Sequence, residues 1–263
     1  QAIVQSGGGR NRIVPMHDMA RAAIAGEAFA PSLSASQLRA LPSQTVTGDL
    51  SMLTMGRADY SGPMLDGRTV FGQPVDAIAA GYYANVPLML GANSADGLPF
   101  VTDKQAIFAG FGADEAEARS LYDPRGNASG VWLSTMTSAD AMFIEPARAV
   151  ARSLAKRGHR VWLYRFAHNG LKAGDAMGGA PHASEIPYVF DLPELRRDLL
   201  ETGKDVEVAA VTHRYWVNLA KTGRPDGDGT SAWPMVSGND DTVHLIGSAF
   251  AGQVPDPSKS RLD

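Results

Sequence analysis

The chain has 263 residues, and its 24 Lys and Arg against 28 Asp and Glu give a formal net charge of −4. Hydrophobic residues make up 44%, enough for a sizeable core, which excludes the disordered, collagen-like and low-complexity classes. The mildly acidic balance argues against a nucleic-acid or anionic-membrane surface, and the lack of cysteine excludes disulfides, a thiolate nucleophile and thiolate metal sites. No apolar run approaches about eighteen residues, so no membrane-spanning helix is expected.

The N-terminal half of the chain alternates strand-like and helix-like segments. Residues 2–4 predict a short buried strand, and the Ala-rich stretch 17–29 predicts a helix. Residues 34–40 have the spacing of a capping box followed by a short helix. The continuous apolar run 86–90 is typical of a central strand in a mostly parallel sheet, and residues 114–121 predict another short helix.

The C-terminal half continues this alternation with longer elements. Residues 139–157 predict a helix, because apolar residues recur every three or four positions and K-R-G follows as a stop signal. Residues 161–167 predict a second buried strand, residues 206–221 a second long helix, and residues 242–246 a last short strand. Strands that alternate with helices predict an α/β fold with a mostly parallel central sheet flanked by helices. No internal repeat or linker divides the chain, so a single domain is predicted.

Two loops that follow predicted strands carry titratable groups. Open parallel sheets place function in such loops, at the carboxyl ends of the strands. Asp96 follows the strand 86–90, and His182 follows the strand 161–167, in the order that the acid and the base of a hydrolase triad take. The acid would fix the imidazole tautomer, and the imidazole would move the nucleophile's proton. Spacing alone also allows Asp96 to be a turn residue before Gly97, and His182 to be a loop histidine bonded to backbone.

Several segments match one known family in the family's own order. They are residues 2–7 (A-I-V-Q-S-G), 62–67 (G-P-M-L-D-G), 86–97 (V-P-L-M-L-G-A-N-S-A-D-G), 182–190 (H-A-S-E-I-P-Y-V-F), 215–225 (Y-W-V-N-L-A-K-T-G-R-P) and 233–234 (W-P). With these segments the chain resembles the C-terminal half of the type-B carboxylesterases, the cholinesterase and para-nitrobenzyl esterase group. The match covers nearly the whole chain, and it implies an α/β-hydrolase fold.

The resemblance also implies roles for single residues. His182 stands in the position of the general base, and Asp96 in the position of the triad acid. The family most often has Glu there, so the side chain of Asp96 is one methylene shorter. Ser6, in Q-S-G, resembles a buried serine that hydrogen-bonds the acid and keeps it ionised and oriented. Glu185 resembles a carboxylate near the site, with a helix-start or surface glutamate as the alternative.

The nucleophile of the family does not occur in this chain. The family carries it in G-E-S-A-G, a form of the G-x-S-x-G elbow, and no G-x-S-x-G occurs in residues 1–263. In the family the elbow precedes the Q-S-G segment, and a Gly-rich oxyanion loop lies further upstream. We therefore expect residues 1–263 to be the C-terminal portion of one α/β-hydrolase domain. The expected partner is an N-terminal fragment or chain of the same esterase, which supplies the nucleophile.

The function implied by the resemblance is hydrolysis of a small-molecule carboxylic ester through an acyl-serine intermediate, with no metal or organic cofactor. A non-catalytic, cholinesterase-like binding or adhesion protein is the alternative, and a lipase or amidase of the same fold is a third interpretation. The lack of cysteine favours a bacterial source, and the sequence leaves a cytoplasmic and an exported location open. Four apolar residues near the loops are candidates either for a substrate pocket or for plain core: Leu98, Phe100, Phe108 and Phe111.

Overall fold

A computed structural model describes residues 1–7, 16–51, 62–170, 178–192, 203–239, 241–247 and 250–262. The chain forms two compact units, one made of Gln1–Asn11 with Ala84–Asp263 and the other of Arg12–Tyr83. The candidate site residues all belong to the larger unit. The assignment of the chain to part of a single α/β-hydrolase domain stays a prediction.

The strands and helices are numbered along the whole chain. The strands are β1 (Ala2–Gln5), β2 (His17–Asp18), β3 (Met64–Leu65), β4 (Leu88–Asn93), β5 (Val161–Phe166), β6 (Thr242–Ile246) and β7 (Ala251–Pro255). The helices are α1 (Met19–Phe29), α2 (Ala35–Arg39), α3 (Ser43–Thr47), α4 (Pro74–Ala80), α5 (Lys104–Ala109), α6 (Glu115–Tyr122), α7 (Gly130–Ala139), α8 (Glu145–Ala155), α9 (Ile186–Val189), α10 (Lys204–Thr222) and α11 (Lys259–Leu262). A 3-10 turn covers Gly112–Asp114, and a π-helical turn covers Asp140–Ile144.

The larger unit is built on a sheet in the order β1-β4-β5-β6-β7. The first four strands in this order are parallel, and β7 runs antiparallel to β6. This confirms the predicted α/β class with a mostly parallel sheet flanked by helices. All six residues of β5 are buried, as expected for a central strand covered on both faces.

The strand β4 lies further toward the C-terminus than the sequence predicts. The apolar run predicts a strand over 86–90, whereas β4 begins at Leu88, continues to Asn93 and pairs with β5 up to the Asn93–Phe166 register. Gly91 fits inside a strand because the ring of Tyr164 lies across it, where a Cβ atom would collide. The loop that carries Asp96 is correspondingly shorter and starts from a rigid strand end.

The predicted helix 139–157 is part of a longer helical segment. It begins at Gly130 as α7, passes through the π-helical turn and ends at Ala155 as α8. Pro146 lies in the first turn of α8, where a missing N–H is tolerated. Gly158, with φ of 80°, follows the end of the helix as the K-R-G signal predicts.

The helix α10 packs on the sheet through one face. Its buried residues include Val208, Tyr215, Trp216 and Leu219, which join a core that also contains Trp162 of β5. The helix ends where Gly223 adopts a left-handed conformation with φ of 74°, a common way for a helix to stop. Five elements of the described part of the larger unit were not predicted: the helices α5, α7, α9 and α11 and the antiparallel strand β7.

The smaller unit contains β2 and β3, paired in parallel, and the helices α1 to α4. The predicted capping box is present: Ser34 accepts from the backbone of Gln37, and the Gln37 side chain accepts from the backbone of Ser34. The helix predicted over 17–29 starts at Met19, because Asp18 caps it from an extended conformation. In neither unit do the described residues form a helix that is both long and apolar enough to cross a bilayer.

Candidate active site

Asp96 lies three residues beyond the end of β4, and its carboxylate is completely buried. Oδ1 is 2.7 Å from Nδ1 of His182. Oδ2 accepts hydrogen bonds from the Ser6 hydroxyl at 2.7 Å and from the backbone N–H of Asn93 at 2.8 Å. Three residues from distant parts of the sequence, Ser6, Asp96 and His182, are therefore brought together as the sequence predicts. Asp96 is more than a turn residue, because its carboxylate accepts hydrogen bonds from the segment after β1, from the end of β4 and from the loop that carries His182.

Backbone contacts fix the distance between the acid loop and the histidine loop. Ala95 forms a parallel bridge with Pro181, and its N–H donates to the carbonyl of Ala180 at 2.9 Å. Gly97 lies so close to α7 that a Cβ atom would collide with the carbonyl of Thr135. The loop of Asp96 is thus held between the histidine loop and a helix, which leaves little freedom for the carboxylate.

Two residues of the site have backbone conformations that are uncommon for residues other than glycine. Ser6 has φ of 51° and Ala183 has φ of 62°, and both lie in the left-handed region. At Ser6 this turn follows directly on β1, while its N–H stays bonded to the carbonyl of Gly91 at 2.9 Å. Such strain persists only where surrounding contacts over-determine it, and it is concentrated at functional sites.

The imidazole of His182 is held on one edge and on one face. Nδ1 bonds Asp96, and the ring stacks on Phe143 with centroids 5.3 Å apart and planes 18° apart. The hydrogen bond that Nδ1 donates to Asp96 raises the pKa of His182 above its ordinary value, against the opposing effect of burial. Nε2 has no hydrogen-bond partner among the described residues, and the side chain keeps a quarter of its surface exposed (25%). The ring is thus oriented by protein at Nδ1 and open for proton transfer at Nε2.

Glu185 is a second buried carboxylate beside the first. It accepts from the side-chain amides of Gln5 at 3.0 Å and Asn93 at 2.6 Å, and only 3% of the residue is exposed. Gln5 is fixed in turn, because its Oε1 accepts from the indole N–H of Trp216 at 3.0 Å. Glu185 is therefore not a surface glutamate. Asn93 also donates to the carbonyl of Pro181 at 2.7 Å, so it braces both loops of the site.

The profile of the carboxylesterase family matches residues 2–259. The chain belongs to the carboxylesterase family. Its fold is that of the solved PNB esterases. The match to one such structure covers 99% of this chain and 56% of the esterase chain, with a TM-score of 0.69 and 22% sequence identity. Within the described part of the chain, no cluster of three or more His, Asp or Glu side chains could hold a metal ion.

Curated relatives in this family include an esterase and neuroligins. Fumonisin B1 esterase of Sphingopyxis macrogoltabida is 28% identical over 212 residues, which are 71% of this chain and 39% of the relative. Neuroligin-3 of Mus musculus is 27% identical over 197 residues, which are 63% of this chain and 24% of the relative. The chain thus spans less than half the length of these relatives. The esterase relative is bacterial, consistent with the source favoured by the lack of cysteine.

Some residues of this candidate site could not be found from the sequence alone. Gln5 directly follows the predicted strand 2–4, Asn93 falls in the loop after the predicted strand 86–90, and Phe143 reads as one apolar position of a helix. A weak signal was present for Asn93, a polar residue at the carboxyl end of a buried strand. Tyr164 lies close to both carboxylates: burial, followed by the charges of Glu185 and Asp96, raises its pKa well above 10.

A second imidazole–carboxylate pair in the family fold differs from the first in exposure. Nε2 of His168 is 2.7 Å from Oδ1 of Asp205, which also accepts from the Tyr188 hydroxyl at 2.8 Å. The side chain of His168 is 4% exposed, against 25% for His182. His168 is therefore sealed inside the protein.

The four apolar residues proposed for a pocket or for core have different environments. Phe108 is completely buried in a cluster between α5, α6 and α7, so it is plain core. Phe111 packs partly against the same cluster, and Leu98 is half-buried. Phe100 is more than half exposed. These positions therefore do not form one apolar pocket lining.

His244 on β6 predicts a loss of stability in acid. The ring is completely buried, stacks on Trp233 at 4.1 Å, and has no hydrogen-bond partner for either nitrogen among the described residues. Burial lowers the pKa of His244 to about 4 from 6.5. The unfolded state binds this proton more readily, so protonation favours unfolding. The neutral ring of His244 leaves the free energy of unfolding at its full value above pH 6.5, and this free energy falls by up to about 1.4 kcal/mol per pH unit as the pH drops toward 4.

Urea unfolding at pH 7.5 and pH 4.5 checks this expectation. The His244→Phe variant keeps an aromatic ring between Trp233 and Tyr215 but cannot titrate. It should lose about 2 kcal/mol less free energy of unfolding between these pH values than the unmodified protein. An equal loss in both proteins would assign the acid sensitivity to another group.

Proposed function

We propose that this chain supplies the base and the acid of a serine carboxylester hydrolase, with His182 as general base and Asp96 as triad acid. The observation that carries the proposal is the continuous set of hydrogen bonds from Ser6 through Asp96 to Nδ1 of His182, with Nε2 left open. A carboxylate bonded to Nδ1 places the proton on that nitrogen, so the lone pair of Nε2 faces outward. That lone pair is what a general base requires.

The reaction then proceeds in two steps. Nε2 of His182 takes the proton of a serine hydroxyl while the serine oxygen bonds the ester carbonyl carbon, and the resulting imidazolium gives its proton to the departing alcohol. Water next attacks the acyl-serine in the same way, which releases the carboxylic acid and restores the serine. Asp96 stabilises the imidazolium in both steps, in keeping with the raised pKa of His182.

The serine comes from an N-terminal part of the same esterase, as a fragment or separate chain, which completes the domain together with residues 1–263. That part also supplies the backbone N–H groups of the oxyanion hole, an interaction worth about 3 kcal/mol in related chemistry. No metal or organic cofactor takes part in this mechanism. The substrate is a small-molecule ester.

The short side chain of Asp96 is compatible with this role. The bridge between Ala95 and Pro181 draws the histidine loop directly onto the acid loop. The Oδ1–Nδ1 distance of 2.7 Å is that of a strong charge-assisted hydrogen bond. We propose that this loop contact makes up for the methylene that a glutamate would add. Ser6 and Asn93 then keep Oδ2 fixed. Glu185 anchors the histidine loop, because its carboxylate accepts hydrogen bonds from two side-chain amides.

A non-catalytic binding protein is the second candidate, favoured by the similarity to neuroligin-3. The complete protein, mixed with a short p-nitrophenyl ester, separates the two candidates. An esterase releases p-nitrophenol with steady turnover, and where deacylation is much slower than acylation a burst close to the enzyme concentration precedes it. Long-chain and anilide substrates in parallel distinguish a lipase or an amidase. No release above the buffer rate would support the binding protein.

A further inference from the structure

The ring of Phe143 is the surface against which the imidazole of His182 rests. The centroids are 5.3 Å apart and the planes are inclined by only 18°, so the rings lie nearly face to face. An aromatic face attracts a cation that lies within about 6 Å of its centre. An imidazolium formed at His182 would therefore be favoured by this contact, and the ring would be kept from turning away from Asp96.

Phe143 reaches His182 from a π-helical turn. The segment Asp140–Ile144 joins α7 to α8 without ending the helix, and it inserts one extra residue into the winding. One residue turns an α-helix by about 100°, so the insertion decides which side chain faces the site. π-helical turns are rare in proteins overall. Those that occur are often found at functional sites, where the extra residue changes which side chain faces the site.

The first residue of this turn is anchored from elsewhere in the protein. The buried carboxylate of Asp140 accepts from the Tyr122 hydroxyl at 2.8 Å. It also accepts from Nε of Arg261 at 2.6 Å and from a second guanidinium nitrogen at 3.2 Å. The guanidinium lies over the Tyr122 ring at 5.6 Å and donates to the Ser258 hydroxyl at 3.1 Å. A buried carboxylate with a two-pronged guanidinium partner is expensive to unpair, so the turn is fixed from α11.

We propose that Arg261 is a positioning residue for His182: together with Tyr122 it locks Asp140, and thereby the π-helical turn that holds Phe143 against the imidazole. The proposal rests on the proposed role of His182 as the base. A residue on the last described helix thus acts on the site through one helical turn and one aromatic ring, without touching the reacting groups.

The contact itself is tested with Phe143→Leu in the complete protein, with Phe108→Leu as the matched loss of a buried ring in a different cluster. The readout is the pKa of the His182 imidazole, followed by NMR titration, together with the pH profile of kcat/KM. Loss of the aromatic face should lower this pKa by about half a unit and reduce kcat several-fold at unchanged KM. The Phe108→Leu protein should show neither change.

The remote role is tested with Arg261→Met, with Arg152→Met as the matched loss of an arginine that pairs with Asp241 instead. Removing a positive charge, and leaving Asp140 without its guanidinium partner, would by electrostatics alone raise the pKa of His182. Release of Phe143 would lower it. The proposal therefore predicts a fall of a few tenths of a unit in Arg261→Met, no added fall when Phe143→Leu is combined with it, and no shift in Arg152→Met.

Tyr122→Phe removes one hydrogen bond from Asp140 without changing any charge, and it serves if Arg261→Met does not fold. A smaller fall in the same direction is expected. A raised or unchanged His182 pKa in Arg261→Met, or no shift in Tyr122→Phe where that variant stands in, overturns the proposal. Because the NMR titration needs no turnover, these outcomes are separate from a failure of the esterase proposal, which would appear as an inactive unmodified protein.

Discussion

His182→Ala in the complete protein should lower kcat by about 10⁴-fold, with little change in KM. The imidazole is the group that moves the proton in both steps of the proposed reaction. Its removal also takes away the cation that Asp96 stabilises. The alanine leaves substrate binding and the oxyanion donors in place, so the loss should fall on kcat. Steady-state hydrolysis of a short p-nitrophenyl ester measures both constants.

The control for this variant is His159→Ala. His159 is a half-buried histidine just before β5, at the amino end of that strand, whereas the candidate site lies beyond the carboxyl ends of the strands. It should keep near-normal kcat. In the unmodified protein, kcat/KM should fall in acid with an apparent pKa above 6.5, because the base must be neutral and the bond to Asp96 raises its pKa. Near-normal turnover in His182→Ala would reject its assignment as the base.

Asp96→Asn should cost about 10³- to 10⁴-fold in kcat. An asparagine amide can donate to Nδ1 of His182, and this moves the ring proton to Nε2, where it blocks proton uptake. Loss of the negative charge should also move the acid limb of the pH profile to lower pH. Kinetics between pH 5 and pH 9 show both effects.

Two variants bracket the Asp96 result. Asp96→Glu keeps the charge but adds a methylene to a completely buried position, so it should be less damaging than Asp96→Asn. Ser6→Ala removes one of the donors to Oδ2 and should cost about tenfold. A mild Asp96→Asn phenotype would contradict the assignment, and would point to Glu185 as the carboxylate that orients the base.

The parts of the fold that were predictable are those in which local pattern and tertiary role agree. The strand β5 and the helix α10 are apolar in the right period and end in clear stop signals, so both were found to within two residues. The strand β7 was missed because it contains Gly252 and Pro255 and is a strand only by pairing with β6. Nearly all of α7 was missed: Leu133, Met136 and Ala139 do recur at helical spacing, but the four Ser and Thr residues between Leu133 and Ala139 lower the helix propensity of the segment.

The residues of the candidate site also include some that the sequence predicts and some that it does not. Asp96 and His182 are candidates from the sequence because they follow the ends of parallel strands, which meet at one edge of the sheet, but only the resemblance to the carboxylesterases assigned them as acid and base. Asn93 and Phe143 could not be predicted. The Asn93 side chain bonds Glu185 and Pro181, which are 92 and 88 positions away, and the turn that carries Phe143 is anchored by an ion pair between residues 121 positions apart. Contacts over such separations leave no local period to detect.

The most direct test of the account is a crystal structure of the complete protein after reaction with a phosphonate ester that labels active-site serines. The account predicts a phosphorus–oxygen bond to a serine that lies outside residues 1–263. Nε2 of His182 should lie within about 3 Å of that serine oxygen, and Nδ1 should remain bonded to Asp96. A label on a serine of this chain, or an imidazole of His182 out of reach of the labelled oxygen, would contradict it.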